Sequence, residues 1–162
     1  MLESVPKTQN IILFDDSIDS IITNFTKNNL ISYVSYSIIK NNKTVSRYYS
    51  DDKWTDFFVK SSLVSKCPLA TSCFNSNESI IIPWNKIHCS SKESKEILLS
   101  RRFFNQNYGC TIFIKNKVFS EAFVLSSESE INFSKICANE TILNLLSNIR
   151  LKSKGYIYNT SF

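Results

Sequence analysis

Thiol and metal chemistry would have to come from one histidine and five cysteines in this sequence, which are His88, Cys67, Cys73, Cys89, Cys110 and Cys137. Structural zinc needs ligand pairs separated by about two to four residues, and neither Cys67 with Cys73 nor His88 with Cys89 has such spacing. A Cys–His nucleophile needs two side chains that meet in space, whereas neighbours in an extended segment point apart. The pattern favours reduced thiols, and it predicts no enzyme, no metal site and no cofactor.

The charged pairs Arg101-Arg102 and Asp51-Asp52 could bind ions of opposite sign. The net charge of +5 is spread along the chain, so a solvated helix surface is the simpler interpretation of the arginines. Direct nucleic-acid binding is therefore not expected. Asp51-Asp52 stands before an apolar helical pattern, where helix capping explains both acids.

Glu121 stands out because strand alternation places its carboxylate on one face with Phe119 and Phe123. Such a carboxylate could serve as a polar group within a ligand pocket, or it could point to solvent. We include Glu121 among the candidate ligand-binding residues.

Several classes of function are excluded by composition. The sequence has 162 residues and only two glycines, Gly109 and Gly155, so neither glycine-rich phosphate-binding motif can be written. No apolar run approaches about 18 residues, which argues against a membrane span. The first residues lack a secretory signal pattern, and the odd number of widely spaced cysteines indicates a cytoplasmic protein. Secretion as a bacterial effector, by a system that needs no N-terminal signal, stays an alternative.

Apolar spacing and turn residues predict the order of the elements. We expect a helix over 15–27, a hairpin of strands 31–39 and 44–49 around Asn41-Asn42, a helix over 54–63 capped within 50–52, an edge strand or pocket-lining loop over 80–84, a helix over 91–105 ended by Tyr108-Gly109, a hairpin of strands 111–115 and 118–125, and a helix over 127–150.

Two hairpins imply antiparallel pairing, so a doubly wound sheet is excluded. The pattern predicts an α/β (α+β) fold, an α–β–α sandwich with a central antiparallel sheet of the PAS/GAF-like class. We expect residues 1–162 to form a single domain with its core at about 10–153. Folds of this class often enclose a small-molecule pocket between the sheet and the helices.

Three stretches between about residues 31 and 150 resemble the signal-binding domain of LuxR-type regulators. Trp54-Thr-Asp-Phe-Phe58 is similar to the family's W-x-x-x-Y helix, and Cys67-Pro68 stands where the family has Asp-Pro. Trp84, Phe103-Phe104 and Gly109–Ile114 then resemble the family's tryptophan and its glycine followed by a strand. No helix-turn-helix module follows in the 162 residues.

The resemblance implies a pocket for acylated homoserine lactones at Trp54, Phe58, Cys67 and Trp84, to which we add Phe104 and Thr111. Phe58 has no hydroxyl and Cys67 no carboxylate, so two polar contacts of the family's pocket are missing. An unpartnered buried amide costs about 1–3 kcal/mol, so a small apolar or amphipathic ligand fits better than the usual lactone.

Two functions follow as hypotheses. The first is a LuxR-like sensing domain in transcriptional regulation or quorum sensing, which acts as a homodimer or in a heteromer with another regulator. The second is a bacterial effector or antagonist with the same fold and a degenerate pocket, which works through protein–protein interaction. Neither hypothesis involves a membrane.

Overall fold

The computed structural model of the protein describes residues 16–29, 31–41, 43–137 and 140–159. The predicted start of the core near residue 10, Asp15 and the turn residue Asn42 lie outside these ranges. The elements are α1 (Asp16–Asn29), β1 (Tyr33–Lys40), β2 (Lys43–Tyr49), α2 (Asp52–Lys60), α3 (Pro68–Phe74), β3 (Ile80–Pro83), α4 (Lys92–Ser100), β4 (Tyr108–Lys115), β5 (Ser120–Ser127), α5 (Glu130–Cys137) and α6 (Thr141–Asn159), with short 3-10 turns at Val64–Lys66, Trp84–Lys86 and Arg101–Phe104.

The strands form one five-stranded sheet in the order β2-β1-β5-β4-β3, and every neighbouring pair is antiparallel. Both predicted hairpins are confirmed, as β1–β2 and β4–β5. Asn41 supports the first turn with a positive φ of 52°, a conformation that asparagine tolerates. β3 lies at the edge, where the missing N–H of Pro83 leaves no gap inside the sheet.

Side-chain alternation divides the sheet into two different faces. On one face, Val34, Tyr36 and Ile38 of β1 pack with apolar residues of α1 and α6. On the other face, Tyr33 packs with α2, α3 and α4 through a cluster that includes Trp54. The structure therefore confirms the predicted α–β–α sandwich with a central antiparallel sheet.

Side-chain caps fix the starts of α2 and α4 where the sequence predicted them. The carboxylate of Asp51 accepts hydrogen bonds from the backbone N–H groups of Lys53 and Trp54 at 2.9 and 3.1 Å. Ser91 Oγ accepts from the N–H of Ser94 at 3.0 Å. These bonds satisfy donors that have no partner within the helix itself, and they account for Asp51 without a bound cation.

The end of the fourth helix differs from its prediction. The α-helix ends at Ser100 and a 3-10 turn follows over Arg101–Phe104. Asn105, with φ 59°, ends this turn by adopting the left-handed conformation. Gly109 is therefore not the helix stop; it lies within β4, where strand β5 and the Trp84 ring approach too closely for a side chain.

The single helix predicted over 127–150 is also wrong, because α5 and α6 are separate. The break lets α5 contact β4 and β5 while α6 packs against α1. Leu145 and Ile149 of α6 are buried in the core between these helices and the sheet. Although α6 is the longest helix, none in the described part of the chain is long and apolar enough to cross a bilayer.

Candidate ligand-binding site

A cavity of about 80 Å³ lies between the sheet and the helices α2 and α3. Its floor consists of the inward-facing residues of β1, β4 and β5, including Ser35, Thr111 and Val124. Its walls come from α2, α3 and the turn after α4. The floor residues alternate with the core residues of the opposite face, so the strand pattern itself positions the cavity.

The structure brings most of the predicted site residues to this cavity. Trp54, Phe58, Cys67 and Thr111 line it. The Trp84 indole lies beside it and donates a hydrogen bond from Nε1 to Thr111 Oγ1 at 3.1 Å. Phe104 does not line the cavity, but its ring contacts that of Trp54.

The aromatic wall is held by ring contacts around Trp54, which is 1% exposed. Phe58 stacks on Trp54 with ring centroids 4.9 Å apart, and Phe104 meets it edge-on at 5.2 Å. Such pairs contribute about 0.5–1.5 kcal/mol beyond the burial of their area. Trp54 therefore stabilises the domain as well as shaping the cavity.

Phe58 and Cys67 contribute no strong polar group to the cavity, in line with the departures noted in the sequence. Cys67 is buried, and its extended backbone precedes Pro68 at the first turn of α3. The carbonyl of Cys67 accepts a hydrogen bond from Thr71 Oγ1 at 2.9 Å. Cys67 and Pro68 therefore position the start of α3. Polar contacts to a ligand would have to come from other residues of the cavity.

Arg101 is the charged residue at the cavity, and the sequence did not single it out as a ligand-binding residue. The expectation of a solvated surface arginine is wrong for Arg101, which is 4% exposed, and correct for Arg102. The guanidinium carbon lies 4.6 Å from the Trp54 ring centroid and 4.7 Å from that of Trp84. Arg101 lies four residues after the buried Ile97, so helical spacing places it on the inner side of this segment and Arg102 on the outer side.

Three other residues that line the cavity have a raised pKa and are neutral at physiological pH. Burial raises the pKa of the Tyr33 and Tyr49 hydroxyls above their ordinary value. Burial also raises the pKa of the Cys73 thiol to about 12. Arg101 is therefore the charged residue of the cavity, which carries a local charge of +1.

Glu121 does not join this set and lies on the opposite face of the sheet. Alternation along β5 puts it on one face with Phe123, as predicted, but that face packs against α6 and is not the cavity face. The carboxylate accepts hydrogen bonds from Tyr36 Oη at 2.7 Å, Asn116 Nδ2 at 3.1 Å and Arg150 Nε at 3.0 Å. A structural role in fastening α6 to the sheet explains this buried carboxylate.

Replacing Glu121 with glutamine is expected to lower the free energy of unfolding by about 2–3 kcal/mol. The ion pair with Arg150 is lost. One of the three groups that donate hydrogen bonds to the carboxylate, on Tyr36, Asn116 and Arg150, must then face an amide N–H of the glutamine. Urea denaturation followed by circular dichroism measures the change. Glu128→Gln is the matched control, because Glu128 is exposed, and an equal loss of stability in both variants would contradict this role of Glu121.

The cysteines differ in accessibility and should differ in reaction with iodoacetamide. Cys67, Cys73 and Cys110 are buried, whereas Cys137 is exposed and Cys89 is partly exposed. Burial raises the pKa of Cys73 and Cys110 to about 12, so roughly one molecule in ten thousand carries either thiolate at pH 8. We expect two alkylated sites in the folded protein and five after unfolding, counted by mass spectrometry. Rapid alkylation of Cys73 in the folded state would contradict this arrangement.

The same shifts make stability depend on alkaline pH. The folded-state pKa of Cys73 is above the ordinary value of 9.0. The contribution of this thiol to the free energy of unfolding is therefore complete below pH 9.0 and lost as the pH rises toward about 12.

Of the described residues, no group of three or more His, Cys, Asp or Glu side chains could hold a metal ion.

A second, more polar groove of about 360 Å³ lies on the other side of Trp84, between α4, α5 and the start of β4. It is larger than the cavity, yet the cavity is the better candidate site. The cavity contains the buried cation and the predicted residues Trp54 and Phe58, whereas the groove is bordered by exposed groups such as Leu99 and Tyr108.

Comparison with known proteins gives similarity in structure but not in sequence. No family model matches the chain, and no curated protein matches it either. The crystal structure of CepR2 from Burkholderia cenocepacia, described as an N-acylhomoserine lactone dependent LuxR family transcription factor, superimposes with a TM-score of 0.57 and 9% identity. This match covers 88% of the present chain and 86% of CepR2.

The crystal structure of Escherichia coli SdiA superimposes with a TM-score of 0.52 and 11% identity. The match covers 83% of the present chain, and the present chain spans only 61% of the length of SdiA. At such low identities these matches concern the fold. They confirm, at the level of the fold, the similarity to LuxR-type regulators that the three sequence motifs predicted.

Proposed function

We propose that this chain is one small-molecule sensing domain of the LuxR-like type, which works in the cytoplasm in transcriptional regulation or quorum sensing. The observation that carries the proposal is the cavity between sheet and helices, lined by Trp54, Phe58, Cys67 and Thr111 with Arg101 at its wall. Trp54, Phe58 and Cys67 are three of the four positions at which the family resemblance implied a ligand; the fourth, Trp84, lies beside the cavity. The role is binding and not catalysis.

The chemistry of the lining favours a small amphipathic ligand over the acylated lactone for which CepR2 is described. Phe58 and Cys67 offer no hydroxyl or carboxylate to a lactone amide, and the volume of about 80 Å³ suits a compact molecule. Ligand binding would stabilise the packing of α2 and α3 on the sheet, since both helices line the cavity. We propose that this signal passes to a second protein, either another copy or another regulator.

Native mass spectrometry tests the proposal. The protein is incubated with a small-molecule extract of the cells that naturally produce it, desalted, and weighed under native and denaturing conditions. We expect a noncovalent increase in native mass that disappears in Ala122→Leu, which places three extra carbon atoms in the cavity. Val118→Leu, at an exposed position of the β4–β5 turn, should keep the increase. A bare mass for the wild-type protein would contradict the proposal.

One observation favours the second candidate function, an effector or antagonist with a degenerate pocket. Ligand pockets usually measure about 300–1,000 Å³, and this cavity is much smaller. A chain of this kind would act through its surface, and filling the cavity would leave its activity intact. The bare native mass that contradicts the sensing function is the result this alternative predicts.

A further inference from the structure

Arg101 is a buried cation without a counter-charge among the residues that the structure describes. Its side chain is 4% exposed, and its Nη1 donates a hydrogen bond to Gln106 Oε1 at 2.8 Å. Its Nε has no hydrogen-bond partner, and none of the carboxylates in the described residues forms an ion pair with it. A buried charge is costly unless it is both paired and hydrogen-bonded, so this guanidinium lacks what usually makes burial tolerable.

Aromatic rings partly compensate for the missing counter-charge of Arg101. The guanidinium carbon lies over the rings of Trp54, Trp84 and Phe58, at 4.6, 4.7 and 5.7 Å from their centroids. Ring faces attract the positive charge, but they do not replace an acceptor for the N–H groups in the guanidinium plane. The rings therefore hold the cation in place while leaving it able to bind an anion.

The cavity provides the space for that anion, because Arg101 lines it. Thr111 Oγ1 accepts the hydrogen bond from Trp84, so its own hydrogen can still be donated toward the cavity. Ser35, 4% exposed, adds another hydroxyl to the floor. Away from these groups, Val64 and Leu69 form an apolar wall.

We propose that the cavity binds a small monoanionic carboxylate, which pairs with Arg101 and places an apolar part against α3. This inference rests on the proposed sensing function and names the class of its ligand. A planar carboxylate matches the fork of the guanidinium, and its single charge balances the single charge of the site. A phosphate monoester carries nearly two charges, more than the single cation of the site balances.

The intrinsic fluorescence of Trp54 and Trp84 gives a direct titration, because these are the two tryptophans of the sequence and both contact Arg101. The probes are benzoate, hexanoate and phenylacetate, each paired with its neutral amide. At neutral pH we expect saturable binding of at least one acid below about 10 mM, a range in which binding is weak but measurable. Its amide should bind roughly 10- to 100-fold more weakly.

Arg101→Met removes the charge but keeps an unbranched apolar side chain, and replacement of a buried charge by a hydrophobic residue is often tolerated by the fold. It should weaken binding of the acid roughly 10- to 100-fold without affecting the amide. Arg102→Met is the matched control, because the neighbouring Arg102 is exposed and should be dispensable.

Equal binding of acids and amides, or equal binding by wild type and Arg101→Met, would overturn the carboxylate proposal and leave the sensing function standing. The absence of saturable binding for all three acids would also overturn it. The sensing function fails separately, through a bare native mass after incubation with the cell extract.

Discussion

Replacing Trp54 with alanine is expected to lower the free energy of unfolding by about 3–5 kcal/mol. The indole is 1% exposed and stacks on Phe58, so its loss leaves a void between α2 and the turn after α4. The buried guanidinium of Arg101 also loses the nearest of its ring contacts. Urea denaturation followed by circular dichroism at 222 nm measures the effect, with an unchanged m-value if unfolding stays two-state.

Phe103→Ala is the control for Trp54→Ala, because it also truncates an aromatic ring in the same region. Phe103 is 88% exposed, and its truncation should change the free energy of unfolding by less than about 0.5 kcal/mol. A Trp54→Ala variant as stable as Phe103→Ala would show that the Trp54 cluster does not hold α2 on the sheet.

Replacing Gly109 with alanine is expected to cost about 3 kcal/mol, the upper part of the usual range for overpacked interiors. A Cβ at this position would lie 2.7 Å from the carbonyl oxygen of Leu125 and 2.7 Å from two carbons of the Trp84 ring. The oxygen belongs to the paired backbone of β5, so it cannot move without disturbing the β4–β5 ladder. Thermal and urea denaturation both report this loss.

The double variant Gly109→Ala with Trp84→Leu separates the two clashes. Removing the ring should recover part of the cost, so the two substitutions should show a favourable coupling energy. The contact with the Leu125 oxygen persists, and full recovery is not expected. Wild-type stability in the single variant Gly109→Ala would contradict the close approach of Trp84 to β4.

The sequence predicts the sheet well because its signals are local. Alternation along β1 and β5 specifies which residues face the helices, and Asn41 marks a turn through its own backbone preference. The cap residues Asp51 and Ser91 likewise act within three positions of themselves. Such features need no knowledge of distant parts of the chain.

The misinterpreted positions depend on contacts between distant elements. Gly109 reads as a helix stop until Trp84 and β5 are placed against it. Alternation correctly groups Glu121 with Phe123, but only the packing of α6 shows that this face is not the cavity face. Helical spacing puts Arg101 on the same side as the buried Ile97, but only the packing of Trp54 and Trp84 against it shows that this side borders the cavity.

The candidate site shows the same division between local and distant signals. The family-like motifs led to Trp54, Phe58 and Cys67, which the fold brings to one cavity with the added candidate Thr111. Motifs could not indicate its charge, because the charge comes from a residue outside them. The ligand class inferred from Arg101 is therefore a product of the three-dimensional structure.

A crystal structure of the protein purified from the cells that naturally produce it tests the ligand site most directly. The account predicts electron density for a compact molecule between α3 and the sheet, within hydrogen-bond distance of Arg101 and Thr111. A cavity closed by its own side chains, in well-ordered density with no molecule beside Arg101, would contradict the account and favour a protein that acts through its surface.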